Sequence, residues 1–355
     1  MQKQQVDPDR LNAFVGHMLD DMGAAMGASL VLVGDKLGLY KAMAEAGPQT
    51  SAELASRTGT DERCVREWLA AQAASRYAEY DETSGRYHLS PEQEAVFADE
   101  GGPAFLAGFF DVAAAAIRAE PKVAEAFRTG KGVGWHEHHA CLFCGTERFF
   151  RTSYAHHLTQ EWLPALDGVA RKLERGALVA DVGCGHGAST LLMAKAFPAS
   201  RFIGFDYHLP SVQWAARLAK EAGLEQRASF EVAAAKDFPG RGYDLVTFFD
   251  CLHDMGDPQG AAAHVREALS PDGTWIIVEP FAHDRLAENL NPVGRIYYAA
   301  STMICTPASL SQEVGLGLGA QAGEARLREV VTAGGFTRFR RATETPFNLV
   351  LEARP

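Results

Sequence analysis

Apolar and polar positions divide the chain into two stretches of different periodicity. Apolar residues recur at helical spacing from residue 11 to 45, through "MLDDMGAAMGASLVLVGDKLGLYKAMAEA", which predicts a long helix. "PQTSAELASRTGT" follows as a turn, a cap at Thr50 or Ser51 and a short helix. "DERCVREWLAAQAASR" predicts a third helix with Asp61 as its N-cap. In "YAEYDETSGRYHLS" two short strand-like runs flank the polar turn Glu82-Thr83-Ser84-Gly85, a β-hairpin. Three helices closed by a hairpin make a winged helix. Residues 103–173 remain mostly helical and are rich in Phe, Ala and His.

From about residue 177 the period changes. "ALVADVG", "RFIGFD", "ASFEVAAA", "YDLVTFFD" and "TWIIVEP" are short apolar runs of strand type. Helical stretches such as "STLLMAKAFP", "LPSVQWAARLAKEAG" and "DPQGAAAHVREALSPDG" separate most of them. Such alternation predicts a parallel sheet covered on both faces. The ending "GGFTRFRRATETPFNLVLEARP" holds two strand-like runs too close together for a crossover helix, so they pair antiparallel. The expected domains are 1–100, winged helix and dimerisation; 101–173, helical linker and cover of the active site; and 174–355, the sheet.

Composition narrows the class. The 355 residues suffice for two domains. The net charge of −11 disfavours an extended phosphate-binding surface. Residues 26–98 carry seven Lys and Arg against eleven Asp and Glu, so the winged helix lacks the basic footprint of a DNA reader. Six cysteines without a disulfide pattern, no signal peptide and no apolar run of spanning length indicate a cytoplasmic protein with no membrane partner.

The chemistry centres on "DVGCGHGAST", Asp181 to Thr190. Gly183, Gly185 and Ala188 alone satisfy the dinucleotide pattern and leave an NAD-dependent enzyme open. Three features point elsewhere: the further glycine Gly187, the acid Asp181 two residues ahead of Gly183, and the antiparallel ending of the sheet. These residues resemble the class I S-adenosylmethionine (SAM) methyltransferases over about residues 175–355. The winged helix and helical segment ahead of the sheet resemble the small-molecule O-methyltransferases. The resemblance implies an α/β fold: a Rossmann-like seven-stranded sheet with an antiparallel last pair behind an N-terminal α-helical winged-helix domain. It implies a cytoplasmic, homodimeric enzyme with SAM as its cofactor.

Physical readings accompany the motif. Gly183, Gly185 and Gly187 let the backbone approach the donor, and the following helix N-terminus suits its carboxylate. Asp181 is expected to hold the ammonium end. Asp206, 25 residues later at a strand end, is expected to hold the ribose hydroxyls. Family members often carry an adenine-binding acid near Ala234, where this chain has alanine. Lys236, Asp237 and Phe238 are expected to take over, with Phe238 stacking on the base. Tyr207 and Asp250 complete the expected cofactor set. In "FFDCLHDMGDP" the resemblance makes His253-Asp254 the catalytic pair, His253 being the general base. A base helps a phenol, with pKa about 10, more than a thiol, with pKa about 8.5. The reading is therefore methyl transfer to an O- or N-acceptor. An S-methyltransferase working by alignment alone and a SAM-sensing transcription regulator are the alternatives. Trp135, His136, Tyr154, Tyr297 and Tyr298 are the expected acceptor residues. The cluster His136-Glu-His-His-Ala-Cys-Leu-Phe-Cys144 has no recognised zinc spacing, so no metal is expected.

Overall fold

A computed structural model describes residues 6–355. It divides into two compact units, the first ending at Ala114 and the second starting at Ala115. The break lies inside a helix, and residues from Ala115 onward belong to the unit that holds the sheet.

The first unit opens with α1 (Pro8–Lys36), α2 (Leu39–Ala46), α3 (Ser51–Thr58) and α4 (Glu62–Ala74). The long helix expected through residue 45 is broken, because Gly38 adopts φ +68 and caps α2. Thr50, not Ser51, caps α3 in a full capping box with Glu53. Asp61 caps α4, accepting from Cys64 N at 3.0 Å. β1 (Glu79–Asp81) and β2 (Arg86–His88) form the antiparallel wing. α5 (Pro91–Phe97) follows. Tyr40, Met43, Leu54, Val65, Trp68 and Leu69 fill the core of this unit. On α4 the arginines are engaged locally: Arg63 with Glu67 at 2.5 Å and Arg66 with Glu62 at 3.1 Å.

α6 (Ala107–Thr129) bridges the division, followed by a 3₁₀ turn (Trp135–Glu137) and α7 (Cys141–Ser153). A π-helical stretch (Tyr154–Trp162), the short α8 (Leu163–Ala165) and α9 (Val169–Arg175) lead to the sheet. The sheet elements are β3 (Leu178–Val182), α10 (Ala188–Ala196), β4 (Arg201–Asp206), α11 (Leu209–Glu221), β5 (Ala228–Val232), β6 (Tyr243–Phe249), α12 (Pro258–Ala268) and β7 (Leu269–Pro280). Then come α13 (Pro292–Ala300), a second π stretch (Ser301–Cys305), α14 (Thr306–Leu310), α15 (Gly323–Ala333), β8 (Arg338–Glu344) and β9 (Asn348–Arg354).

Strand order is β5-β4-β3-β6-β7-β9-β8, with β9 antiparallel to both of its neighbours. This is the expected seven-stranded α/β sheet. Strand alternation splits its side chains between two cores. Val246, Phe248, Trp275 and Ile277 pack with α12 and α15. Leu245, Phe249, Ile276 and Val278 pack with α9, α10 and Trp162. Among the described residues no single helix is long and apolar enough to cross a membrane; only α1 with α2, bent by 67°, passes on length and composition together.

Candidate active site

The C-terminal ends of β3, β4, β5 and β6 open into one cavity of about 460 Å³. Ligands of open α/β sheets bind at such carboxyl ends, where strand order reverses. Here it reverses at β3, the strand that carries the glycine loop.

Gly183 and Gly185 line the cavity. Gly183 has φ +74, and a Cβ there would lie 2.8 Å from Cys251 Sγ, so this turn excludes larger residues. Gly187 does not line the cavity; it caps α10 without any side-chain bond, leaving the helix N-terminus open toward an anionic group. Asp206 Oδ2 accepts from Gly185 N and Oδ1 from His208 N, both at 2.9 Å. Two backbone donors thus orient the carboxylate, and each oxygen keeps a lone pair for a hydroxyl. Burial raises the pKa of Asp206. Tyr207 and Lys236 line the cavity too, and Lys236 is ion-paired to Glu313 across the rim. Glycines at a close-approach turn, an open helix N-terminus and an oriented strand-end acid form a donor set that fits SAM.

Three expected cofactor residues sit elsewhere. Asp181 is fully buried and accepts from Ser189 Oγ (2.7 Å), Thr190 Oγ1 (2.5 Å) and Thr247 Oγ1 (2.8 Å). It ties α10 to β3 and β6 through these three hydroxyls and is not on the cavity wall. Phe238 is buried against Phe205, Tyr243 and His264, so it is core and no adenine stack. Asp237 is exposed and off the cavity; Ala233, Ala234 and Ala235 line that wall instead.

The acceptor side comes from the cover. Trp135, His136 and Tyr154 line the cavity as expected, with Phe143, Glu147 and Phe150 beside them. Phe143 stacks on His208 with centroids 4.4 Å apart. Tyr297 and Tyr298 do not line it: Tyr297 is buried, its hydroxyl donating to Phe347 O at 2.9 Å, and Tyr298 lies off the wall. The histidines of the 136–144 segment diverge. His136 faces the cavity, His138 is buried, and His139 sits 3.0 Å from both Arg118 Nη1 and Cys141 Sγ. An arginine there competes with any cation.

The expected catalytic pair stands at the end of β6. His253 is buried, with Glu279 against Nδ1 and Asp254 Oδ1 3.0 Å from Nε2. Burial opposes charge on the ring, but the Asp254 and Glu279 carboxylates hold its pKa well above the ordinary value. Both ring nitrogens face carboxylates, and His253 is not on the cavity wall. Asp254 does line the wall, and its Oδ2 accepts from Trp135 Nε1 at 2.9 Å. Asp250 lines it as well. Its backbone has φ +52, uncommon for a residue with a side chain. Tyr154 Oη donates to its Oδ2 and Asn348 Nδ2 to its Oδ1, each at 3.2 Å. Burial, then Glu279, push its pKa up to about 8. Sequence reading missed Glu279, Asn348 and His208. Glu279 alone left a signal, a lone acid ending the apolar run "TWIIV".

Comparison with known proteins agrees with this architecture. Residues 173–329 match the family described as a methyltransferase domain, and residues 24–98 match an Rv2258c-like winged HTH domain. Norajmaline N-methyltransferase of Rauvolfia serpentina is 30% identical over 117 residues, 32% of this chain and 39% of that enzyme. The chain spans less than half the length of the curated relatives it matches. Human N-acetylserotonin methyltransferase in complex with SAM superposes with a TM-score of 0.73 at 16% identity, over 100% of this chain and 99% of that one. The mitomycin 7-O-methyltransferase MmcR gives 0.66 at 18% identity, over 98% and 100%. With the glycine loop, the strand-end acid and the antiparallel last pair in place, the chain carries a SAM-dependent methyltransferase domain over residues 173–329, preceded by a winged-helix domain over 24–98.

Proposed function

We propose that the protein moves the methyl group of SAM to a hydroxyl or amine of a small molecule. One observation carries the reading. The same cavity is lined by the glycine loop, Asp206 and Tyr207 and by the aromatic cover of Trp135, Phe143, Phe150 and Tyr154. Donor and acceptor meet there away from water, so alignment and exclusion of solvent supply most of the catalysis. The aromatic faces also favour a sulfonium cation. Relatives named for N- and O-methylation fit both acceptor types.

The test is formation of S-adenosylhomocysteine (SAH) from SAM against a panel of phenols, hydroxy acids, amines and thiols. Turnover with oxygen or nitrogen nucleophiles is the expected result; turnover with thiols alone assigns an S-methyltransferase. A regulatory role is disfavoured by the glutamate-paired arginines of α4, and salt-dependent DNA binding would restore it. The protein is further proposed to work as a homodimer in the cytoplasm. The exposed apolar stripe of α1 supports the first point, and six free cysteines the second.

A further inference from the structure

β3 is flanked by β4 on one side and β6 on the other. Val182, the last residue of β3, pairs with Phe205 on β4 and with Phe248 on β6. Beyond that register, Asp206 leaves β4 and Asp250 leaves β6 on opposite sides of the glycine loop. Asp206 suits the ribose, and the wall of Ala233 to Lys236 lies outside it at the end of β5. The remaining end of the donor, methionine with its sulfonium, then falls on the β6 side. Phe150, Tyr154, Phe249, Asp250 and Asp254 line the cavity there.

We propose that Asp250 is both the counter-charge to the sulfonium and the group that takes the acceptor's proton. The inference rests on the reading of this cavity as the shared chamber of donor and acceptor. Elimination comes first. His253 is off the wall and clamped between two carboxylates. Asp254 binds Trp135 Nε1 through one oxygen, and its other oxygen lies 3.0 Å from His253 Nε2, so a cation already stands against it. Asp250 keeps its place through a left-handed backbone and two neutral donors, Tyr154 and Asn348, brought by different elements. Strain of this kind persists only where the surroundings enforce it, and it gathers at functional sites.

Its charged and titratable surroundings are Tyr154 from the π stretch, Glu279 from β7, His253 and Asp254 from the turn after β6, and Tyr297 from α13. One cation stands among three acids there, so a further positive charge is favourable. Burial and Glu279 keep the Asp250 carboxyl protonated near neutral pH without a ligand, its pKa standing at about 8. A sulfonium alongside favours the ionised form. When the acceptor's lone pair forms its bond to the methyl carbon, the carbon–sulfur bond breaks and its electron pair stays on sulfur. Asp250 receives the proton the acceptor releases. Its proton affinity rises at that moment, because the neighbouring cation has become a neutral thioether.

The test uses the full chain and two probes, SAM and SAH, in titration calorimetry. At about pH 6.5 the amino groups of both ligands are protonated. Repeating the titrations in buffers of different ionisation enthalpy counts protons. SAM binding should release close to one proton more than SAH binding, and that excess should vanish in Asp250→Asn. Between about pH 6 and pH 8 the preference for SAM over SAH should rise by up to about tenfold per pH unit in the wild type relative to the variant. Asparagine tolerates a left-handed backbone, and SAH affinity reports whether the variant is folded. Equal proton counts for the two ligands in the wild type overturn the proposal with no variant needed, and so does a pH slope unchanged in Asp250→Asn. An assay that finds only thiols methylated rejects the acceptor reading and leaves the donor-binding result standing.

Discussion

At the scale of single residues, the site is a set of acids with different neighbours and therefore different duties. Asp181 is bound by three hydroxyls, Asp206 is oriented by backbone donors, Asp254 anchors Trp135, and Glu279 faces His253. His253 is the cation that makes Glu279 and Asp254 compatible in the interior. Removing one partner of a buried ion pair leaves an uncompensated charge. His253→Ala should therefore destabilise the protein by about 3–5 kcal/mol in urea unfolding, beyond any effect on turnover. An unchanged midpoint would contradict the clamp. Asp250 makes a prediction with a definite sign. Its folded pKa stands above the unfolded value, so its contribution is complete below about pH 4 and is lost as pH rises through about 8. Asparagine has no such ionisation. The ligand-free Asp250→Asn variant should gain on the wild type in thermal unfolding as pH rises from about 6 to 9, by roughly 2–4 °C for each kcal/mol relieved. Parallel curves would show that the carboxyl is not held in a charge-averse site.

Elements were far more legible in the sequence than the site they carry. Period-2 and period-3.6 patterns are local, so the winged helix, the alternating α/β order and the antiparallel last pair could be read from neighbouring residues. The break at Gly38 was missed because a glycine inside an apolar stripe does not announce its φ. The glycine loop and Asp206 were legible because close backbone approach and a strand-end acid depend on sequence order. The acceptor side was not, since it depends on contacts between distant segments: Trp135 reaches Asp254, 119 residues away, and Asn348 reaches Asp250, 98 away. Phe238 shows the same limit, as two positions separate it from the wall residue Lys236 and its ring still turns into the core. A prediction at this scale concerns the turn from β3 to α10. Gly183→Ala places a methyl at φ +74 against Cys251 Sγ. Strain of about 1–3 kcal/mol is expected, together with a fall in SAM affinity of at least about tenfold, since the shifted turn carries Gly185 away from Asp206. Cys251→Ala in the same chain should recover part of the loss if the clash is the cause and none of it if φ alone decides. Calorimetry with SAM separates the two.

At the scale of the whole molecule, α1 is the feature a single chain leaves unexplained. Leu11, Phe14, Val15, Met18, Leu19, Met22 and Met26 are all exposed on this 29-residue helix, Met26 to 77%. Their spacing follows i, i+3, i+4 and i+7, so they share one face. A contiguous apolar face of this kind is rare on a monomer and marks a surface that another chain covers. The arrangement suits a second copy: a twofold axis lets one stripe meet its own duplicate, as isologous interfaces require. Helical methionines also pack adaptably against irregular partners. The protein should therefore sediment as a dimer at micromolar concentration. A Met18→Lys, Met22→Lys double variant should shift it to monomer, because two ammonium groups at the centre of the stripe cannot be desolvated without partners. Melting temperature should then cease to depend on protein concentration, as mass action requires once assembly is gone. A wild type that is monomeric at all concentrations, or a double variant that stays dimeric, would move the interface away from α1.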